Sequence, residues 1–163
     1  MIGERNRTLA RWTAIPGKLR RATADLARVQ LASRGGSEGW SVVEYVHHLV
    51  EANLVVGSIV LAALGRPGCE YDWSWLVPDG EWMKRLGYGR RPVDPAIRLL
   101  DALCAHVAGI LRGSPDALAR SVRLRGSSGA RRRTLERVLR DECDHAALHL
   151  RDIRAAVASG GGS

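Results

Sequence analysis

An all-α domain, a bundle of four helices, is the architecture that three features of this sequence require. Four segments repeat apolar residues at steps of three and four, the spacing that lines one face of a helix. Several of them open or close on a helix signal, such as Ser41, Asp94-Pro95 or Gly113. No segment offers a convincing strand, so the helices have only one another to pack against.

The first helix is predicted over Pro16–Leu31. Ile15, Leu19, Ala22, Leu26 and Val29 recur at helical spacing, and Pro16 is tolerated in a first turn. An earlier helical piece around Arg7–Ala14 leads into it, and the glycine-rich run Ser33–Gly39 breaks it. The second helix starts at a capping box, Ser41 with Glu44 three residues on, with Trp40 just before it. It runs to about Leu64, and its apolar residues cover nearly the whole circumference. Glu44, His48 and Glu51 share one narrow arc, with His47 at its edge.

The third helix is predicted from Asp94-Pro95 to Arg112, with Ala96, Leu99, Leu100, Leu103, Val107 and Ile110 as its stripe. The fourth spans about Thr134–Ala158. A long loop joins the second and third helices and holds Trp73, Trp75 and Trp82. Connections of that length are usually functional or fold into a small element, and Pro78-Asp79-Gly80-Glu81 is placed to open a short helix there. These features predict a four-helix bundle with one or two long crossovers. Residues 1–158 are expected to form a single domain, because 163 residues suffice for one core and not for two. The Gly/Ser end, 159–163, is expected to be a flexible tail.

The net charge is +8, but of the 25 basic residues only Lys18 and Lys84 are lysines. An arginine skew of that kind follows from genome composition as readily as from function, so it weakens a nucleic-acid reading. Cys69, Cys104 and Cys143 are widely spaced, which suits buried thiols in a reducing compartment. The first residues lack an apolar signal core, and the longest uncharged apolar run, Ala52–Leu64, is short for a membrane span. A cytoplasmic protein without a membrane partner is expected.

His145 and His149 lie four residues apart on the last helix. That spacing stacks both imidazoles on one face, with Cβ atoms roughly 6 Å apart, within reach of one metal ion. A third imidazole is available in the pair His47-His48. Glu142 and His149 fall inside the apolar stripe of the last helix and His145 on its flank. A carboxylate among leucines costs several kcal/mol unless it is paired or bound. Three neutral imidazoles around a divalent cation leave a coordination position open, the mark of a catalytic site. Glu142 or Glu44 would then orient a ligand imidazole or move a proton. Trp73, Trp75, Trp82 and Tyr71 either wall an apolar substrate pocket or simply cap the bundle. His106 has no spaced partner and reads as structural.

Three stretches carry a family resemblance: T-A-I-P-G-K-L at 13–19, W-S-V-V-E-Y-V-H-H-L-V-E at 40–51, and R-D-E-C-D-H-A-A-L-H-L-R-D-I at 140–153. In that order and spacing the chain resembles the DinB-like superfamily of small bacterial metalloproteins. The resemblance implies an up-up-down-down four-helix bundle, often a homodimer. It implies His48, His145 and His149 as metal ligands, His48 rather than His47 because Leu49 follows it. It also implies zinc, nickel or manganese as the metal, with bacillithiol, mycothiol or glutathione as co-substrate. The expected function is a metal-dependent thiol S-transferase or hydrolase-like catalyst acting on a small electrophile.

Two rival readings stand beside it. Glu44-x-x-His47 and Glu142-x-x-His145 match the spacing of di-metal carboxylate bundles, but the first and third helices offer no glutamate. Arg131-Arg132-Arg133 would suit phosphate contacts in a non-catalytic metal- or nucleic-acid-binding regulatory or stress protein. No helix-turn-helix or zinc-finger spacing supports that second rival, so a nucleic-acid partner is not expected.

Overall fold

The computed structural model describes residues 2–76 and 79–160. Four helical columns form the bundle. The first is α1 (Ile2–Thr13) followed by α2 (Ile15–Thr23), and the others are α4 (Val42–Gly65), α6 (Val93–Arg112) and α7 (Leu135–Gly160). Two short helices stand outside it, α3 (Arg28–Ala32) and α5 (Asp79–Leu86). The core draws on every column: Trp12, Ile15 and Leu19, then Tyr45, Val46 and Leu49, then Leu100, then Leu139 and Ile153.

Side-chain pairings fix the directions. His48 meets His145 and Asn53 meets Glu142, so α4 and α7 are antiparallel. Gly89 lies against Glu44 near the start of α4, and Leu103 packs on Gly57 further along it. Hence α6 runs parallel to α4. Thr8 and Arg11 pair with Cys143 and Asp144, while Ser33, shortly after α2, packs on Gly160. The first column therefore runs with α7. Two helices point each way, the cyclic pattern of an up-up-down-down bundle, entered one helix later along this chain.

Helix α4 begins as expected. The Glu44 amide donates to Ser41 Oγ at 3.2 Å, and Glu44 Oε2 accepts from the Ser41 amide at 2.8 Å. By length and composition this helix could cross a membrane. In the bundle it is the central column, with α6 and α7 packed along it, and that position explains its apolar circumference.

The first helix departs from its predicted span. It starts earlier and stops at Thr23, because Asp25 adopts φ 61°, a left-handed turn that a short polar side chain tolerates. Leu26, past the end of α2, still packs against the core, whereas Val29 continued the apolar rhythm only in sequence. Val29 is on the separate α3 and is 70% exposed.

Among the described residues, five short strands are present where none was expected. β1 (Arg34–Gly35) pairs antiparallel with β2 (Trp40–Ser41). β3 (Glu70–Asp72) lies parallel to β4 (Ser121–Gly126), which forms a hairpin with β5 (Gly129–Thr134). The sequence signal was Val122-Arg123-Leu124-Arg125 followed by Gly-Ser-Ser-Gly, a period-two run ending in a turn. A two-stranded piece and a narrow three-stranded sheet need the bundle beneath them for stability.

Helix α5 fills the expected place in the long loop, although the Pro78 that was to open it lies outside the described residues. Helix α7 continues through Gly160, so residues 159 and 160 are helical rather than tail. The rest of that expected tail, 161–163, lies outside the described residues.

Candidate metal centre

The antiparallel contact of α4 and α7 brings His48 between His145 and His149. One ring nitrogen from each of the three lies within 4.8 Å of the other two, and His48 Nε2 is 3.0 Å from His145 Nε2. Zinc–nitrogen bonds of about 2.0–2.1 Å in a tetrahedron place ligand nitrogens roughly 3.3 Å apart. His48 and His149 are buried and His145 is half-buried.

Each imidazole of the α7 pair is held from behind by a carboxylate. Glu142 Oε2 accepts from His145 Nδ1 at 3.1 Å, and Asp152 Oδ2 accepts from His149 Nδ1 at 3.0 Å. With Nδ1 donating, the Nε2 of each neutral ring presents a lone pair. Two such lone pairs converging beside His48 repel unless a proton or a cation lies between them. The donor set therefore fits a divalent cation, with carboxylate–histidine pairs that fix tautomer and orientation.

Those carboxylates are themselves fixed. Asn53 Nδ2 donates to Glu142 Oε1 at 2.7 Å, and Trp12 Nε1 donates to Asn53 Oδ1 at 2.8 Å. Asp152 accepts from the Ser37 amide at 3.0 Å and from Ser37 Oγ at 3.1 Å. The loop that reads as a mere break between helices is thus the cradle of Asp152. Gly36 makes it possible: its φ is +74°, and a Cβ there would come within 2.6 Å of the Asp152 Cβ. Asn53, Asp152 and Ser37 were missed in the sequence because nothing local marks them.

Two of the three rings are held neutral, as metal binding requires. Burial, and then the charges of His145 and His149, push the His48 pKa down to about 3, so its ring is neutral. Burial and the charge of His145 lower His149 too, against the pull of Asp152. Burial opposes protonation of His145, yet the hydrogen bond and charge of Glu142 outweigh it and raise its pKa.

His47 is no ligand. It stacks on Tyr88 with ring centroids 4.6 Å apart, pointing away from the centre. Glu44 is likewise not at the centre. It closes the α4 capping box, and its Oε2 is 3.1 Å from Arg34 Nη1, so the expected catalytic role does not fit its position. With both engaged elsewhere, the di-metal reading loses its α4 ligand pair.

A cavity of about 490 Å³ opens beside His48, His145 and Glu142. Ala52, Val55, Val56 and Ile59 of α4 and Val138 of α7 form apolar walls. Of the four aromatic residues expected there, Trp73 lines it. Trp75 is 53% exposed and packs edge-on against Trp82. Trp82 and Tyr88 donate to Glu51, at 2.8 and 2.5 Å, and so pin the α5 segment to α4. Tyr71 sits on β3 against the core, opposite Leu124. Trp40, expected only to steady the helix start, covers the centre, 5.0 Å from the His48 ring and 5.8 Å from that of His149. Asp79, at the start of α5, also lines the cavity, 3.9 Å from His48 Nδ1. Burial raises its pKa.

Comparison with known proteins bears on the family and the fold. A model of the DinB superfamily matches residues 3–153. A Geobacillus kaustophilus protein named "putative metal-dependent hydrolase" is 31% identical over 130 residues, covering 78% of this chain and 70% of that protein. A Geobacillus thermodenitrificans protein of the same name is 30% identical over 105 residues, 63% of this chain and 56% of its own length. Among solved structures, YfiT from Bacillus subtilis superposes with a TM-score of 0.81 at 20% identity, covering 98% of this chain and 89% of YfiT. It is described as a probable metal-dependent hydrolase with an unusual four-helix bundle topology. The mycothiol-dependent maleylpyruvate isomerase gives a TM-score of 0.68 at 15% identity, with 93% of this chain and 61% of that one covered. At such identities the two structures speak for the fold.

Proposed function

This chain belongs to the DinB superfamily, and from that premise we propose that it is a divalent-metal-dependent enzyme acting on a small electrophile, by thiol S-transfer or by hydrolysis. One observation carries the reading: three imidazole nitrogens converge within 4.8 Å of one another, and two of the rings, His48 and His145, line an open cavity. A fully enclosed structural site would have no such opening. The names of the Geobacillus relatives support metal-dependent hydrolysis, and the mycothiol-dependent isomerase of like fold supports a thiol co-substrate. Zinc, nickel or manganese would suit the nitrogen donors.

A divalent cation held there would supply acidity to a bound water or thiol. The chain's own residues do the remaining work. His48, His145 and His149 would hold the ion, and Glu142 and Asp152 hold two of the rings. Both oxygens of Glu142 are engaged, by Asn53 and His145, so it positions rather than shuttles protons. Asp79 faces the cavity, and it is the carboxylate placed to take a proton from an incoming thiol or water. Trp40 and the α4 side chains exclude bulk water.

The test combines metal analysis with a screen of turnover. Untagged wild-type protein is expected to hold one ion per chain, and H149A close to none while remaining helical. The metal-loaded wild type should conjugate glutathione, bacillithiol or mycothiol to monochlorobimane, or hydrolyse simple esters, faster than the stripped protein. D79N should retain metal and lose about 10²-fold in rate. Full occupancy in H149A would remove that ligand, and equal rates with and without metal would remove the enzyme reading.

A further inference from the structure

The sheet formed by β3, β4 and β5 closes one side of the cavity, and its register divides the arginines into two sets. Val122 lies opposite Arg133 and Leu124 opposite Arg131, whereas Arg123 lies opposite Arg132. Alternation therefore puts Val122, Leu124, Arg131 and Arg133 on one face and Arg123, Arg125 and Arg132 on the other. Leu124, Arg131 and Arg133 line the cavity.

The two faces differ in charge balance. On the outer face, Glu70 lies 3.2 Å from Arg123 and 2.6 Å from Arg125. On the cavity face, among the described residues, no carboxylate is paired with Arg131 or Arg133; Arg133 donates only to the Arg132 carbonyl at 3.2 Å. Asp141, an acid in the same cavity wall, is held by Arg137 at 2.8 Å. Asp79 and Glu142 belong to the imidazole end. The cavity thus has a cationic end on the hairpin, an apolar wall on α4, and His48 and His145 of the metal centre in its lining.

We infer that this cavity selects a small molecule with an apolar body and a carboxylate end, the carboxylate being held by Arg131 and Arg133 while the opposite end meets the metal centre. The inference rests on the metal-enzyme reading for its orientation and names the substrate class of that site. A guanidinium presents a planar fork that matches a carboxylate's two oxygens, and such charge-assisted bonds are about twice as strong as neutral ones. An apolar molecule without an anion would leave both cations facing it unpaired.

The experiment is calorimetric titration of metal-loaded protein with 4-phenylbutyrate and with its neutral amide, 4-phenylbutyramide. Wild type is expected to bind the acid at least about tenfold tighter than the amide, as charge-assisted pairing would give. In R131A/R133A the two should agree within about threefold, with metal content unchanged. R131Q alone, at an exposed strand position, should lose part of the preference and covers the case in which the double variant does not fold. Equal binding in wild type overturns the inference. A preference that survives in R131A/R133A also overturns it, since the carboxylate would then be held at the imidazoles. Wild type that prefers the acid but takes up no metal would sink the metal-enzyme reading and leave the anion pocket standing. Wild type that takes up metal and shows no preference would sink the pocket alone.

Discussion

Glu142 stands between two columns of the bundle: Asn53 of α4 donates to its Oε1 at 2.7 Å, and its Oε2 accepts from His145 Nδ1 at 3.1 Å. The carboxylate that seemed out of place among leucines is satisfied on both oxygens. Its burial cost is offset by these two hydrogen bonds, which order the His145 ring, and through Asn53 the order reaches the fully buried Trp12.

Replacing Glu142 with Gln should therefore weaken metal binding without dissolving the bundle. Loss of such a carboxylate behind a ligand histidine typically costs about 10–100-fold in affinity. The same is expected of D152N, which loosens His149. Competition against a chromophoric chelator measures both, with circular dichroism as the check on folding. Affinity within a factor of about two of wild type would show that the rings need no such support.

Glu44 separates capping from catalysis. E44A should lower stability by about 1 kcal/mol, the usual cost of a lost helix cap, and leave metal content and affinity unchanged. Denaturant melts and elemental analysis read the two effects separately. A loss of metal in E44A would restore it to the site.

Protons should compete with the metal mainly at His145. Its pKa is raised by Glu142, so as pH falls it is the first of the three to protonate, and metal affinity should fall with it. In metal-free protein the signs differ between residues. His48 takes up protons near 6.5 when unfolded and near 3 when folded, so stability present above pH 6.5 is lost as pH falls towards 3. His145 works the other way: its contribution is full below 6.5 and disappears as pH rises through its raised pKa. Urea melts of stripped wild type and H48A across this range test the first effect. A pH dependence identical in both would show that His48 carries none of it.

The sequence alone determined which residues can be ligands and where the three later long helices lie, while the first broke at Asp25. His145 and His149 share a face because a helix repeats every 3.6 residues, and Ser41 with Glu44 marks the start of α4 through purely local hydrogen bonds. The tertiary structure decided everything that depends on residues far apart in the chain. It set His48, the residue the resemblance implied, beside the α7 pair and turned His47 away, engaged Glu44 in the helix cap and with Arg34, and brought Asn53, Asp152 and Asp79 to the centre. It also folded an arginine-rich connection into a sheet over the cavity. Periodicity reports the face on which a side chain lies; only packing determines what that face meets, because the contacts that set charge state and ligand geometry come from other columns of the bundle.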